Sequence, residues 1–299
     1  MTAADFDFLV SWEDMDVLTA CSRWRVPAVE FHRTLGSTSD RGRELLRAGA
    51  PEWSLVIAEE QTEGRGRAGR PWHSPPGSGL WMSVVLRPPP SRGPTVLPIL
   101  AGVAVAQSVE VLLPNARVGL KWPNDVLVDG AKVCGVLAEA MGGVGGGVVL
   151  GIGLNVRQGA DGFPPDLDQA ATSLALAGAR SLDRGALVSG IVSRLRPFLE
   201  PWPAGLSGSI LEEVARLDLL LGSPVRVTGA GMQGTGTGGE GDGGIDPGAA
   251  GTPEGTARGF DGVGEGIGPD GSLLVGVHGD AGRRSVTVRS GSVRLITGR

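Results

Sequence analysis

The sequence predicts an α+β protein: a mixed β-sheet domain flanked by helices, followed by a small β-barrel domain. Three observations carry that prediction. Short apolar runs of strand length recur at Ser54–Ala58, Leu80–Leu86 and Val148–Val156, bounded by the glycine, proline and polar residues that end strands. Longer runs at Thr95–Leu113, Leu182–Trp202 and Ser207–Leu221 have the length and spacing of helices. From Ser223 onward the chain changes to short strands separated by turn residues, at Pro224–Thr228, Ser272–Val277, Ser285–Val288 and Ser292–Ile296, as in a small barrel. The expected boundaries are an N-terminal extension over 1–28, a main domain over 29–221 and the barrel over 222–299.

Composition narrows what such a protein can do. The 299 residues carry a net charge of −5. The glycine-rich tract Gly229–Gly255 holds Glu240, Asp242, Asp246 and Glu254 with no Lys or Arg, so the rest is close to neutral. A general nucleic-acid binder would instead spread basic residues over a face. The tract has too little apolar surface to offset its ordering entropy, and it reads as a disordered insertion in the barrel. Cys21 and Cys134 are too few for a disulfide framework, and no signal peptide opens the chain, which points to a cytoplasmic protein. Thr95–Leu113 approaches the length of a bilayer helix, but Pro98, Gln107, Ser108 and Glu110 interrupt it. It reads as a helix buried on a sheet, with no membrane involved.

In chain order, Met1–Pro27 is acidic and then aromatic, with Trp12 and Trp24, and is too short for a helix-turn-helix domain. Val29–Leu35 alternates as a strand does. Gly36–Ser39 is a polar turn, with Ser39 as the N-cap of a helix through Glu44, Leu45 and Leu46. Taken alone, Ser37 and Thr38 are turn and capping residues. Two strands then flank the loop Gly64-Arg65-Gly66-Arg67-Ala68-Gly69-Arg70. Its glycines match a dinucleotide fingerprint, which needs a helix to open at that point. The prolines at 71, 75 and 76 exclude that helix. The heptad therefore reads equally as a solvated basic loop or as an anion cradle built from backbone N–H groups and the forked donors of Arg65, Arg67 and Arg70.

Beyond the long helix, Lys121-Trp122-Pro123-Asn124-Asp125 leads into an apolar run that turns at Asp129-Gly130. That pair is a strong hairpin signal, because a type I′ turn needs positive φ at both central residues. The expected register sets Val128 opposite Ala131, Leu127 opposite Lys132, Val126 opposite Val133 and Asp125 opposite Cys134. Asp125, Leu127, Lys132 and Cys134 then share one face. On those grounds Lys132 and Asp125 are a surface ion pair or part of a site, and Cys134 is a core residue. Gly142–Gly147 is a loose turn. In the strand that follows, glycines at 151 and 153 admit a ligand or another backbone, and Asn155 is a strand-end cap or a ligand contact.

Four motifs in this order and spacing resemble the biotin protein ligases of the monofunctional type: Gly64–Arg70 with Trp72, Lys121–Asp125, Lys132 with Gly135, and Gly151–Val156. The resemblance runs from about Val29 to the C-terminus. It implies a catalytic domain of the class II synthetase/biotin-lipoate ligase type over 29–221 and an SH3-like barrel after it. It implies adenylation of biotin by ATP with Mg²⁺, then transfer to a lysine of a biotin carboxyl carrier protein. By motif position the resemblance assigns Ser37, Thr38, Ser39, Gln61, Arg65, Gly66, Arg67 and Lys132 to biotin, with Arg65, Arg67 and Lys132 also catalytic. Arg70, Trp72, Lys121, Asn124, Asp125 and Asn155 fall on the ATP side, with Asp125 as a metal ligand. Two features depart from the repressor-type members: no room for a DNA-binding domain, hence no DNA partner, and the Gly229–Gly255 tract. The expected assembly is a monomer or homodimer. Lipoate ligase shares the fold in outline and is the nearest rival; an RNA-binding module is disfavoured by 4% aromatics and no Tyr.

Overall fold

The computed structural model describes residues 7–89, 95–143, 146–234, 259–279 and 282–296. They fall into two compact units that divide between Leu217 and Asp218. The first unit contains β1 (Ser11–Trp12), β2 (Met15–Asp16), α1 (Val17–Trp24), β3 (Val29–Leu35), α2 (Thr38–Arg47), β4 (Leu55–Gln61) and β5 (Gly79–Leu86). It continues with α3 (Leu97–Leu112), β6 (Val118–Lys121), β7 (Asp125–Val128), β8 (Ala131–Met141), β9 (Gly147–Asn155), α4 (Arg184–Leu199) and α5 (Gly208–Leu217).

Seven strands form one sheet in the order β3-β4-β5-β9-β8-β7-β6. Only β3 and β4 pair in parallel, so the sheet is mixed. Its two faces differ in composition because alternate residues point to opposite sides. Leu154, Cys134 and Val126 occupy successive pairing positions across β9, β8 and β7 and are buried. This apolar face receives α3, whose Gly102 lies against Leu120 and Val126. The opposite face carries α2, with Leu46 packed on Val85 and Val149, and Leu45 on Val56, Ala58 and Leu35. On that side Gly151, Gly153 and Gly135 make room for side chains from other elements, Ser39 Oγ over Gly151 and the Trp72 ring over Gly153 and Gly135. Among the described residues no helix is long and apolar enough to cross a membrane.

Several elements differ from the sequence expectation. The N-cap of α2 is Ser37 rather than Ser39: the Ser37 hydroxyl accepts the Ser39 N–H. Asp40 in the first turn and Arg47 in the last suit the helix dipole. The segment before β3 belongs to the first unit, where Trp12 and Trp24 stack and edge onto Phe31. Arg184 anchors it through Glu13 at 2.7 Å and also bonds Glu59 of β4 at 2.7 Å.

The hairpin turns where expected, with φ of 48° at Asp129 and 84° at Gly130. Val128 pairs with Ala131 and Leu127 with Lys132, but Val133 then bulges, so Val126 pairs with Cys134 and Asp125 with Gly135. An extra residue reverses the alternation. Cys134 thereby points to the apolar face, contrary to the expected register, while Lys132 and Asp125 stay together on the other. Burial pushes the Cys134 thiol up, with the Lys132 charge opposing that and the Asp125 charge adding to it, so it is an unreactive core residue.

The second unit is a closed barrel of β10 (Pro224–Gly234), β11 (Phe260–Ile267), β12 (Leu273–Gly279) and β13 (Gly282–Leu295). Ser285–Val288 and Ser292–Ile296 do not form separate strands, because β13 runs through both, pairing with β12 over Gly282–Val288 and with β10 over Val286–Leu295. β11 has no counterpart in the sequence expectation. Its alternating glycines hide it: a side chain at Gly264 would meet the Leu220 carbonyl oxygen at 2.1 Å. Residues 229–234, assigned to the disordered tract, belong to β10, which pairs with β13 through Gly234. The rest of that tract, and Val144-Gly145 of the loose turn, lie outside the described residues.

Candidate active site

The glycine-lined part of the sheet is bordered by the start of α2, the loop between β4 and β5, and the β7–β8 hairpin. At the α2 side the groups are neutral. Thr38 donates to Gln61 Oε1 from its backbone N at 2.8 Å and from its hydroxyl at 3.0 Å. Ser83 of β5 donates to Thr38 Oγ1 at 2.9 Å and lies 3.3 Å from Ser39 Oγ. Gln61 Nε2 donates to Ser74 Oγ at 2.9 Å, and Ser74 bonds the Trp72 carbonyl at 3.2 Å. Ser83 and Ser74 complete a cluster of which the motifs named only Ser37, Thr38, Ser39 and Gln61. A serine in the middle of the apolar run Leu80–Leu86 was the available signal for Ser83.

The glycine–arginine loop is an ordered excursion that folds back on itself. Gly66 N donates to Arg70 O at 2.8 Å and Trp72 N to Gly64 O at 2.8 Å. Arg65 grips both oxygens of Asp40 at 2.7 Å. Arg43 shares the Asp40 carboxylate and reaches Glu139 at 2.7 Å. Burial draws the Arg67 guanidinium below its usual range, the charge of Asp125 opposes that shift, and Arg70 adds to it. Arg70 itself is exposed. The loop thus concentrates positive charge beside Asp125.

Trp72 lies over the cleared floor. A Cβ at Gly153 would meet the indole Nε1 at 2.5 Å, and one at Gly135, its pairing partner, would meet Cζ3 at 3.1 Å. The indole N–H is buried and lacks a hydrogen-bond partner. Lys132 Nζ stands 5.1 Å from the Trp72 ring centroid and 2.6 Å from Asp125 Oδ1. That is a cation held between an aromatic face and a carboxylate.

Asn124, Asn155 and Lys121 bond to other parts of the chain. Asn124 donates to the Val136 carbonyl at 2.7 Å, tying the hairpin to β8. Asn155 is buried, donates to Thr172 O at 3.0 Å and accepts from Gln158 at 3.0 Å, so its side chain clamps the segment after β9. Lys121 donates to Gln169. The groups gathered at the glycine-lined face are those of α2, the arginine loop with Trp72, and Lys132–Asp125.

A neutral hydrogen-bonding cluster beside a cationic loop, on a glycine-lined sheet, has the chemistry to receive a ligand with a neutral polar head and an anionic end. Residues 33–155 match the Biotin/lipoate A/B protein ligase family. The chain is 38% identical over 222 residues to the biotin–[acetyl-CoA-carboxylase] ligase of Mycobacterium tuberculosis, covering 73% of this chain and 80% of that protein. It is 41% identical over 165 residues to the bifunctional ligase/repressor BirA of Bacillus subtilis. That match covers 54% of this chain and half the length of the Bacillus protein. Among solved structures, the biotin protein ligase from Aquifex aeolicus in complex with biotin and ATP superposes with a TM-score of 0.64 at 24% identity, covering 90% of this chain and 99% of that one. The chain belongs to the Biotin/lipoate A/B protein ligase family.

Proposed function

We propose that this protein activates biotin with ATP and transfers it to a lysine of a biotin carboxyl carrier protein. The observation that carries the reading is the contiguity of the neutral Thr38–Gln61–Ser74 cluster, Trp72 and the Lys132–Asp125 pair on one sheet face. A ureido ring is neutral and suits hydroxyl and amide partners. A carboxylate attacking phosphorus suits fixed cations, which stabilise the negative charge that grows as the bond forms.

In this scheme a biotin carboxylate oxygen attacks the α-phosphorus of ATP. The bond to the bridging oxygen breaks, pyrophosphate leaves and biotinyl-AMP remains. The neutral ε-amine of the carrier lysine then attacks the acyl carbon, AMP departs with the bonding electrons, and the nitrogen releases a proton to become the amide. Ser37, Thr38, Ser39 and Gln61 hold the ring. Arg65, Gly66 and Arg67 enclose the acyl phosphate, Lys132 stabilises its charge, and Arg70 and Trp72 flank the nucleotide. Asn124, Asn155 and Lys121 act by fixing the loops on the nucleotide side.

Mg²⁺ is ordinarily held by one or two carboxylates together with substrate phosphates. The carboxylate available on this face is Asp125, held 2.6 Å from Lys132 Nζ. Asp125 would hold the ion, which supplies charge neutralisation on the phosphates. The proposed setting is the cytoplasm, and the proposed assembly is a monomer or homodimer. The test is incubation with ATP, Mg²⁺ and biotin, with lipoate in a parallel reaction, followed by mass spectrometry. Biotinyl-AMP is expected. Its absence from folded protein, or preferential formation of lipoyl-AMP, overturns the assignment.

A further inference from the structure

The neutral cluster has a direction. At one end the Thr38 backbone N–H can only donate, so the Gln61 atom 2.8 Å away is the amide oxygen. At the other end the Trp72 carbonyl can only accept, so Ser74 Oγ donates to it across 3.2 Å. Ser74 has then spent its one hydrogen and must accept from Gln61 Nε2. The two ends fix the same amide orientation independently. The Thr38 hydroxyl hydrogen is spent on Gln61 Oε1, so Thr38 Oγ1 accepts from Ser83. Ser83 in turn accepts from Ser39, the 3.3 Å contact whose direction geometry alone leaves open. Every hydroxyl hydrogen in the run Ser39, Ser83, Thr38, Gln61, Ser74, Trp72 O, and one of the two Gln61 amide hydrogens, therefore has an assigned place.

We infer that Ser74 and Ser83 are positioning residues that lock the Gln61 amide so that it offers a donor, not an acceptor, to the ligand. Both serines are buried. With Oε1 occupied twice and one Nε2 hydrogen on Ser74, the hydrogen left to Gln61 is the second on Nε2. The pocket therefore selects a head group that presents an acceptor, such as the carbonyl oxygen of a neutral cyclic urea or amide, over one without hydrogen-bonding atoms. The first glycine of the arginine loop serves this relay. A Cβ on Gly64 would fall 2.5 Å from Trp72 O, 2.8 Å from Ser74 Oγ and 3.2 Å from Gln61 Nε2, wedging apart its last two links. Gly64 is thus required by the neutral pocket rather than by an anion.

The inference deepens the proposed biotin site and rests on that reading for its ligand, so its test has one arm with ligand and one without. Without ligand, the two side-chain N–H resonances of Gln61 are assigned by their loss in Gln61→Leu, and their solvent exchange is measured separately. In the wild-type chain one hydrogen should exchange about tenfold more slowly than its partner, and Ser74→Ala should abolish that asymmetry. With ligand, Ser74→Ala and Ser83→Ala should each weaken biotin binding about tenfold by calorimetry while raising the KM for ATP far less. Equal exchange of both hydrogens in the wild type, or asymmetry that persists in Ser74→Ala, overturns the relay. So does a biotin affinity that neither serine changes in folded protein. If the wild-type chain binds no biotin, the proposed function fails, and the exchange arm still decides the relay.

Discussion

The two halves of the site satisfy their polar groups in opposite ways. Beside α2, hydroxyls and an amide satisfy one another, from Ser83 through Thr38 and Gln61 to Ser74. On the loop and hairpin, cations meet carboxylates: Arg65 meets Asp40 and Lys132 meets Asp125. A neutral network is complete before a ligand arrives and needs only its free edge. A cation already held by a carboxylate must be shared with, or released to, an incoming anion. The neutral half is therefore expected to set which ligand binds, and the charged half to set how fast it reacts.

The sharpest break in that comparison is Lys132→Ala. Removing one donor that strengthens its contact in the transition state costs about 10²–10³ in rate, or roughly 2.7–4 kcal/mol. Biotin-dependent ATP–pyrophosphate exchange should fall by that factor while biotin affinity changes much less. If Lys132 were only the partner of Asp125, thermal unfolding would shift and exchange would stay within a few-fold of wild type.

Next in size is the support of α2, which places the neutral half. Arg41 bonds Glu30 through two nitrogens at 2.7 and 2.8 Å. Burial alone would raise the Glu30 carboxyl, but the hydrogen bonds from Arg41 and His32, with their charges, outweigh it and hold it at about 2. The folded value lies below the ordinary 4.5, so this stabilisation is complete above about pH 4.5 and is lost as pH falls toward 2. On the order of 2 kcal/mol should disappear across that window. Unfolding followed against pH should show a shallower acid limb in Glu30→Gln; an identical limb would remove Glu30 from the account.

Asn155 separates scaffold from site. Both functional atoms of its buried amide are bonded to the segment after β9. Asn155→Ala strands the Thr172 carbonyl and Gln158, at a cost of roughly 1–3 kcal/mol in stability. Denaturant unfolding should report that loss, with little change in the KM for ATP at temperatures where the variant is folded. A large rise in that KM without destabilisation would make Asn155 a direct nucleotide contact rather than a clamp.

These residues also show where the sequence was legible. Asp129-Gly130 announced its turn because positive φ twice in succession permits few residue types. The bulge at Val133 left no mark, since Val fits either register, and so Cys134 was set on the wrong face. Strand β11 was invisible because close backbone approach, not apolar burial, selects its residues. For the proposed site, motif order singled out Gln61, Trp72 and Lys132, which the fold brings to one sheet face. It did not find Asp40, 25 positions before Arg65, because an ion pair between distant residues has no periodicity. Asn124 and Asn155 matched by position, yet the structure binds their amides to backbone carbonyls.

The smallest effect asks how the charged half works before substrate arrives. Arg65 and Asp40 are both partly exposed, at 32% and 38%, and a pair of that exposure is worth about 0–1 kcal/mol. Asp40→Asn should therefore leave the fold intact, since Arg43 keeps Glu139 as its partner. Its effect should fall on the guanidinium that it releases. If the carboxylate competes with substrate phosphates for Arg65, the KM for ATP should drop by about threefold, consistent with an interaction of that size, with biotin affinity unaltered. If the carboxylate instead aims Arg65 at the substrate, the same variant should raise the KM for ATP. Steady-state exchange at varied ATP and saturating biotin distinguishes the two signs. A rise would place Asp40 with Ser74 and Ser83 as part of a preassembled site and would erase the contrast between the halves.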